Sequence, residues 1–241
     1  MSSAGSASST TAGIIVAAGR GTRFGAPDKV LLPLRGRSVL GWVLDAFLSA
    51  GLAEIVIVVG QHTEAAVRTL AAESERMVPV RIVAGGERRQ DSVARGVAAL
   101  GDGIDLVAIH DAARPLVTAA LIERTIARAR VTGAAIAACP VSDTLKRVRS
   151  DLTIESTVSR DALWSAQTPQ VFRRGWLTEA IAHHLFARQT FTDEAALFEA
   201  LGYPVAIVPN HEPNPKITHP GDLALIEALL TTVKAVTEPV R

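Results

Sequence analysis

Apolar runs rich in valine and isoleucine recur along the chain between stretches with helical spacing. GIIVAA (13–18), EIVIVV (54–59), VRIVA (80–84), DLVAIH (105–110) and AAIAAC (134–139) are short and almost continuously apolar. Strands without polar alternation are buried on both faces, as in a parallel sheet covered by helices. Between them, SVLGWVLDAFLSAG puts Val39, Leu40, Val43, Leu44, Phe47 and Leu48 on one stripe, with Ser38 placed to cap its start and Gly51 to end it. QDSVARGVAAL (90–100) and TAALIERTIARAR (118–130) repeat the logic. Strand and helix in alternation predict an α/β fold: a doubly wound, mostly parallel, Rossmann-like sheet.

The alternation stops after Pro140. Residues 141–159, VSDTLKRVRSDLTIESTVS, alternate polar and apolar and turn near Ser150 and Asp151. The result is a protruding β-hairpin with two rather polar faces, too small to build a core of its own. It is either an arm that packs on another chain, giving a homodimer, or a surface flap. The α/β pattern then resumes. WLTEAIAHHLFA reads as one helix, and DEAALFEALG as another with Thr192 as N-cap and Gly202 closing it. YPVAIVP (203–209) is a strand, and PGDLALIEALLTTVKAV is a last helix with Pro220 in its first turn. The small polar residues 1–12, MSSAGSASSTTA, read as a disordered tail. Residues 13–235 read as one domain, with 141–159 as its dimerisation arm.

Composition narrows the function. The 241 residues, 48% hydrophobic, suffice for one sizeable core. A formal charge of +1 lacks the basic excess of a nucleic-acid binder. The single cysteine, Cys139, excludes a disulfide within the chain and suits a reducing compartment. No basic leader with an apolar stretch opens the chain, and no apolar run approaches the roughly 20 residues of a membrane span. The expectation is a cytoplasmic protein with no membrane or nucleic-acid partner and no second enzyme domain. The six histidines form no zinc-type spacing, and no G-x-S-x-G elbow is present.

The candidate chemistry begins after the first strand, in GIIVAAGRGTRFGAPDK (13–29). Gly19 and Gly21 start a dinucleotide fingerprint, but its third glycine position is Phe24. Walker A spacing fails too, reaching Phe24 or Ala26. Instead the turn carries three cations, Arg20, Arg23 and Lys29. A dinucleotide's pyrophosphate stays intact and is held mainly by backbone N–H groups and a helix dipole. Side-chain cations are needed where negative charge accumulates, as on a departing pyrophosphate. The alternative is a surface loop with solvated bases.

The stretch AAGRGTRFGAPDKVLLP (17–33) resembles the signature of sugar-nucleotide-type nucleotidyltransferases in its G-x-G-x-R element, Gly19 to Arg23, and its K-x-x-x-P element, Lys29 to Pro33. GGERRQDSV (85–93), HDAARPLV (110–117), AQTPQVF (166–172), TDEA (192–195) and NPKIT (214–218) follow in order. Together they resemble the 2-C-methyl-D-erythritol 4-phosphate cytidylyltransferase family of the non-mevalonate isoprenoid route. The resemblance implies that Ala17, Ala18 and Gly19 line the cytosine and ribose of CTP. It implies that Arg23 and Lys29 hold the triphosphate and stabilise the transition state, with Gly85, Gly86 and Ser92 also at the nucleotide. Asp111 is implied to bind Mg²⁺, with Ala112 and Arg114 flanking nucleotide and substrate. Thr144, Arg160, Thr168, Thr192 and Lys216 are implied around the methylerythritol phosphate, Thr144 coming from the partner's arm. Arg88 and Arg89 compete for one arginine position, and Pro215 stands where a residue with an N–H is expected.

Several of these residues have structural alternatives. Asp111 can cap the turn that follows it, Asp91 or Ser92 can cap the helix after GGERRQDSV, and Lys216 and Arg160 can be solvated. Arg114 precedes Pro115 and is expected extended, its fork free to face a phosphate. An attacking phosphate is already anionic at neutral pH and needs no general base, so catalysis reduces to positioning and charge stabilisation. The rival readings are a relative acting on another polyol phosphate such as ribitol 5-phosphate, an NAD-dependent oxidoreductase, and a non-catalytic nucleotide-binding regulator.

Overall fold

A computed structural model describes residues 10–19, 29–72 and 78–237, with side chains up to residue 230. Arg20, Gly21, Arg23 and most of the N-terminal tail lie outside the described residues. The first strand, β1 (Thr11–Ala17), starts two residues before the apolar run, because the Thr10 N–H is anchored on the Asp105 carboxylate at 2.9 Å. After a single 3-10 turn at Lys29–Leu31 come the short β2 (Pro33–Leu34) and β3 (Arg37–Ser38). Ser38 caps α1 (Val39–Leu48) by accepting from the Gly41 N–H. Then follow β4 (Glu54–Val59), α2 (Glu64–Ala72), β5 (Val80–Ala84), α3 (Arg89–Ala98) and β6 (Leu106–Asp111). Thr118 caps α4 (Ala119–Thr132), and Gly133 closes it in the left-handed conformation, φ 85°.

The chain continues through β7 (Ala134–Pro140) into the hairpin of β8 (Leu145–Val148) and β9 (Ile154–Val158), which form a separate two-stranded sheet. The next strand, β10 (Trp164–Arg173), has no counterpart in the periodicity reading. It lies antiparallel between β6 and β7. Its polar residues and Pro169 hid it: Gln167, Thr168 and Gln170 are buried and tie down neighbouring loops. WLTEAIAHHLFA is not one helix but two, α5 (Arg174–Ala182) and α6 (His184–Arg188), which break at the extended His183. The cap of α7 (Glu194–Ala200) is Asp193, which accepts from the Ala196 N–H, so the expectation for Thr192 was one residue early. The fold closes with β11 (Ala206–Pro209) and α8 (Pro220–Thr237).

The main sheet has seven strands in the order β11-β7-β10-β6-β1-β4-β5, parallel except for β10. Successive residues of β1 face opposite cores. Ile15 packs with Val43, Phe47 and Ile122 beneath α1 and α4, and Ile14 packs with Val93, Val97 and Phe198 beneath α3 and α7. From β1 the strand order runs through β4 to β5 on one side, while β6 lies on the other. Val16 and Asp111 are register partners at that reversal, so the carboxyl ends of β1 and β6 flank the crevice where open α/β sheets bind ligands.

Candidate active site

A cavity of about 270 Å³ opens at this crevice. Its lining comes from the end of β1 (Val16 to Gly19), the 3-10 turn (Lys29, Val30), the start of α3 (Gly86 to Arg89, Ser92), Asp111 and Ala113, and the segment around Lys216 and Thr218. Four of the sequence segments that carry the chemistry therefore meet at one place. Arg23 lies outside the described residues.

Asp111 is the centre. It is the last residue of β6, and its side chain is 10% exposed. Oδ1 accepts from Arg89 Nε at 3.0 Å and Oδ2 from Lys216 Nζ at 2.7 Å. Burial alone would push its carboxyl up, but Arg89 and Lys216 outweigh that and hold it below the usual carboxylate range. Arg89 also donates Nη1 to both oxygens of Glu194, at 2.7 and 2.9 Å. Burial opposes the Arg89 charge, and its two carboxylates more than restore it. Arg89 Nη2 is buried without a hydrogen-bond partner.

Arg88 and Arg89 have separated into two jobs. Arg88 occupies the N-cap position of α3 and turns back onto Asp91, at 2.6 Å, and onto the carbonyls of Phe186 and Gln189. Arg89 takes the charged centre. Asp91 does not cap through its own position but returns a bond to the Arg88 N–H, and Ser92 lies inside the helix. The Ser92 hydroxyl accepts from the Gly86 N–H at 3.0 Å, so it shapes the loop edge of the cavity. Gly85 has no room for a side chain: a Cβ there would lie 2.2 Å from that of Ala18. Its smallness is used first by the protein, packing the α3 loop onto the end of β1. Gly86 is similarly pressed on Asp91, where a Cβ would fall 2.4 Å from that residue's Cβ.

Arg114 was expected to face a phosphate. Its fork meets the Asn214 carbonyl at 2.7 Å rather than lining the cavity, and Ala112 is fully buried below the rim. Lys29 reaches the Ile217 carbonyl at 2.8 Å, and the Ile217 N–H donates to Ala113 at 2.8 Å. The 214–218 segment is thus laced to both the first turn and the loop after β6. Pro215 sits between two carbonyls that are already paired, that of Asn214 with Arg114 and that of Lys216 with the Thr218 hydroxyl at 3.2 Å.

Thr168 lies behind Asp111, not in the lining: its hydroxyl accepts from the Asp111 N–H at 3.2 Å and meets His110 Nδ1 at 2.9 Å. Burial lowers the His110 pKa to about 4, so this ring is neutral at physiological pH and braces Thr168 against the Arg114 carbonyl, 3.2 Å from Nε2. Thr192 is exposed in the loop before α7. Thr144 and Arg160 are exposed on the hairpin and its base, apart from the cavity lining, and Arg160 Nη1 bonds the Ser142 carbonyl. Sequence reasoning assigned nothing to Glu194, Gln167 or Asn214, although the segments containing them were singled out. Gln167 Oε1 accepts from both Asn210, at 3.0 Å, and Asn214, at 3.3 Å.

A divalent cation suits this donor set. Mg²⁺ arriving with a triphosphate takes one or two carboxylates and fills its shell with phosphate oxygens and water. The ionised Asp111 supplies such a carboxylate, and among the described residues no cluster of three or more metal-ligating side chains offers a protein-only cage.

Comparisons with known proteins place the chain among enzymes of one family. Residues 11–232 match the model of the family described as 2-C-methyl-D-erythritol 4-phosphate cytidylyltransferase. The chain is 45% identical over 222 residues to the enzyme of that name from Gloeobacter violaceus, covering 91% of this chain and 95% of the relative. It is 46% identical over 220 residues to that from Prochlorococcus marinus, covering 90% and 96%. Among solved structures, 4-diphosphocytidyl-2C-methyl-D-erythritol synthase from Anaerococcus prevotii superposes with a TM-score of 0.80 at 29% identity, over 92% of this chain and 99% of that one. The Thermus thermophilus 2-C-methyl-D-erythritol 4-phosphate cytidylyltransferase gives 0.75 at 36% identity, with the same coverages.

Proposed function

This chain belongs to the 2-C-methyl-D-erythritol 4-phosphate cytidylyltransferase family, whose CTP-dependent transfer serves isoprenoid biosynthesis, and from that premise we propose how its cavity performs the reaction. A phosphate oxygen of methylerythritol phosphate attacks the α-phosphorus of CTP. The new P–O bond forms as the bond to the β-phosphate oxygen breaks, and pyrophosphate leaves. The nucleophile is already ionised, so no proton has to be removed. The protein's work is to bring two polyanions together and to absorb the charge that develops on the leaving group.

The observation that carries this reading is the placement of Asp111, Arg89, Lys216 and Lys29 around one cavity at the strand-order reversal. Ala17, Ala18 and Gly19 form the nucleoside side of it. Lys29, with Arg23 from the same turn, meets the triphosphate. Asp111 would hold a Mg²⁺, whose chemistry when bound would be to neutralise part of the triphosphate charge. Lys216 exchanges Asp111 for the substrate phosphate, a move open to a flexible ammonium on a half-exposed side chain.

Thr144 and Arg160 reach a cavity only if the hairpin docks on a second copy. The hairpin exposes Val148, Leu152 and Ile154, the second of them 83% exposed, and a two-stranded ribbon has no core to bury them in. A homodimer with exchanged arms supplies that cover. Among the described residues no helix is long and apolar enough to cross a membrane, which fits a cytoplasmic enzyme.

The test is a pyrophosphate-release assay over four nucleoside triphosphates and a panel of polyol phosphates, with and without Mg²⁺. CTP with methylerythritol phosphate and Mg²⁺ should give the highest kcat/KM. CTP binding without release would make the protein a regulator, and preference for ribitol 5-phosphate would move it to another polyol.

A further inference from the structure

We propose that Glu194 is a positioning residue: acting through Arg89, it fixes one oxygen of Asp111 and leaves the other to exchange partners at the cavity. This rests on the reading of Asp111 as the carboxylate at the nucleotide.

Four charges alternate in a row, Glu194, Arg89, Asp111 and Lys216, joined by contacts of 2.7, 3.0 and 2.7 Å. The two ends of the row differ. Glu194 is 4% exposed, while the Lys216 side chain is 38% exposed. Glu194 is also held from both sides. Its predecessor Asp193 accepts from Gln170 Nε2 at 2.8 Å, and the N–H of its successor Ala195 donates to Gln170 Oε1 at 3.2 Å. Glu194 is thus fixed by β10, and Arg89 is fixed by Glu194.

The chemistry of the two cations then divides the Asp111 oxygens. Arg89 offers donors in a rigid planar fork, with Nη1 already committed to Glu194, so its Nε anchors Oδ1 in one place. Lys216 is a point charge on a flexible stem, so Oδ2 can be released when an anion draws the ammonium away. Charge matters as much as place. Burial raises the Glu194 carboxyl and the Arg89 guanidinium opposes that; with Glu194 ionised, Glu194, Arg89 and Asp111 together carry one net negative charge, which faces the cavity once Lys216 moves. Without the Glu194 carboxylate the same group is neutral, and the full Arg89 charge falls on Asp111. Asp111 would then be a weaker ligand for a divalent cation.

The substitution Glu194→Gln keeps size and one acceptor and removes the charge. It should lower kcat by about 10- to 100-fold, the usual cost of losing an outer partner of a metal-binding carboxylate, with little change in KM for the polyol phosphate. The second readout is CTP affinity by calorimetry with and without Mg²⁺, and the gain on adding Mg²⁺ should shrink by roughly tenfold. Glu194→Asp, which restores the charge, should recover most of that gain. Should Glu194→Gln fail to fold, Arg89→Lys, which keeps a charge but not the fork, should show the same losses. A folded Glu194→Gln or Arg89→Lys with wild-type kcat and a wild-type response of CTP binding to Mg²⁺ overturns the proposal. Asp111→Asn separates the layers. If it keeps the Mg²⁺ response, the reading of Asp111 fails and this inference with it; if it loses the response while Glu194→Gln keeps it, only the role of Glu194 fails.

Discussion

Lys29 sits on a single 3-10 turn with its ammonium 2.8 Å from the Ile217 carbonyl, at the rim of the cavity. A triphosphate bound in the cavity as proposed would meet this cation directly. Lys29→Ala and Arg23→Ala should each lower kcat by roughly 10² to 10³, the cost of one transition-state donor. Steady-state kinetics check this, and near-normal turnover in both would remove those roles. Gly85 makes a different kind of demand. A methyl at that position overlaps the Ala18 Cβ at 2.2 Å, so Gly85→Ala should cost about 1–3 kcal/mol in denaturant unfolding. Adding Ala18→Gly should return most of the loss. At this scale residue types were legible but not their partners. Two adjacent arginines, Arg88 and Arg89, look alike in sequence, and only the fold sends one to Asp91 and the other to Asp111.

Among the elements, β1, β4, β6 and β7 were readable because their burial on both faces leaves no polar alternation, whereas β5, also read as buried, is an edge strand with no buried residue. The strand β10 was not, because its polar side chains are buried by pairing with other loops rather than by facing solvent: Gln170 with Asp193, Gln167 with Asn210. A buried hydrogen-bonded strand and a polar loop have the same local composition. The end of β6 was legible, since a carboxylate closing a strand stands out, but the threonine that holds its N–H came from β10, 57 residues away. The hairpin was legible in outline, and its exposed Val148, Leu152 and Ile154 are what the proposed arm would bury on a second copy. Deleting residues 142–158 should yield a monomer in sedimentation. Arg160→Ala should raise KM for the sugar phosphate and leave CTP affinity nearly alone. A dimeric deletion mutant removes the argument for the arm.

For the whole molecule, the cavity joins segments around residues 18, 30, 88, 111 and 216, so a ligand there ties together parts of the chain far apart in sequence. CTP with Mg²⁺ at 100 times its Kd should stabilise the fold by about 2.7 kcal/mol, a Tm rise on the order of 5–10 °C, read in a thermal melt. NAD should give none; a shift with NAD and not with CTP would restore the oxidoreductase reading. The sequence by itself determined the α/β class, most strand and helix positions, and the residue types of the cation-rich turn. These depend on periodicity and residue type, which are local. Only the tertiary structure decided that Arg89 rather than Arg88 meets Asp111, that Glu194 stands behind it, that Thr168 braces rather than lines, and that Arg114 turns to Asn214. Each is a choice of partner across about 22 to 105 residues, made by strand order and packing, and no local pattern encodes the distance between side chains that the fold has yet to bring together.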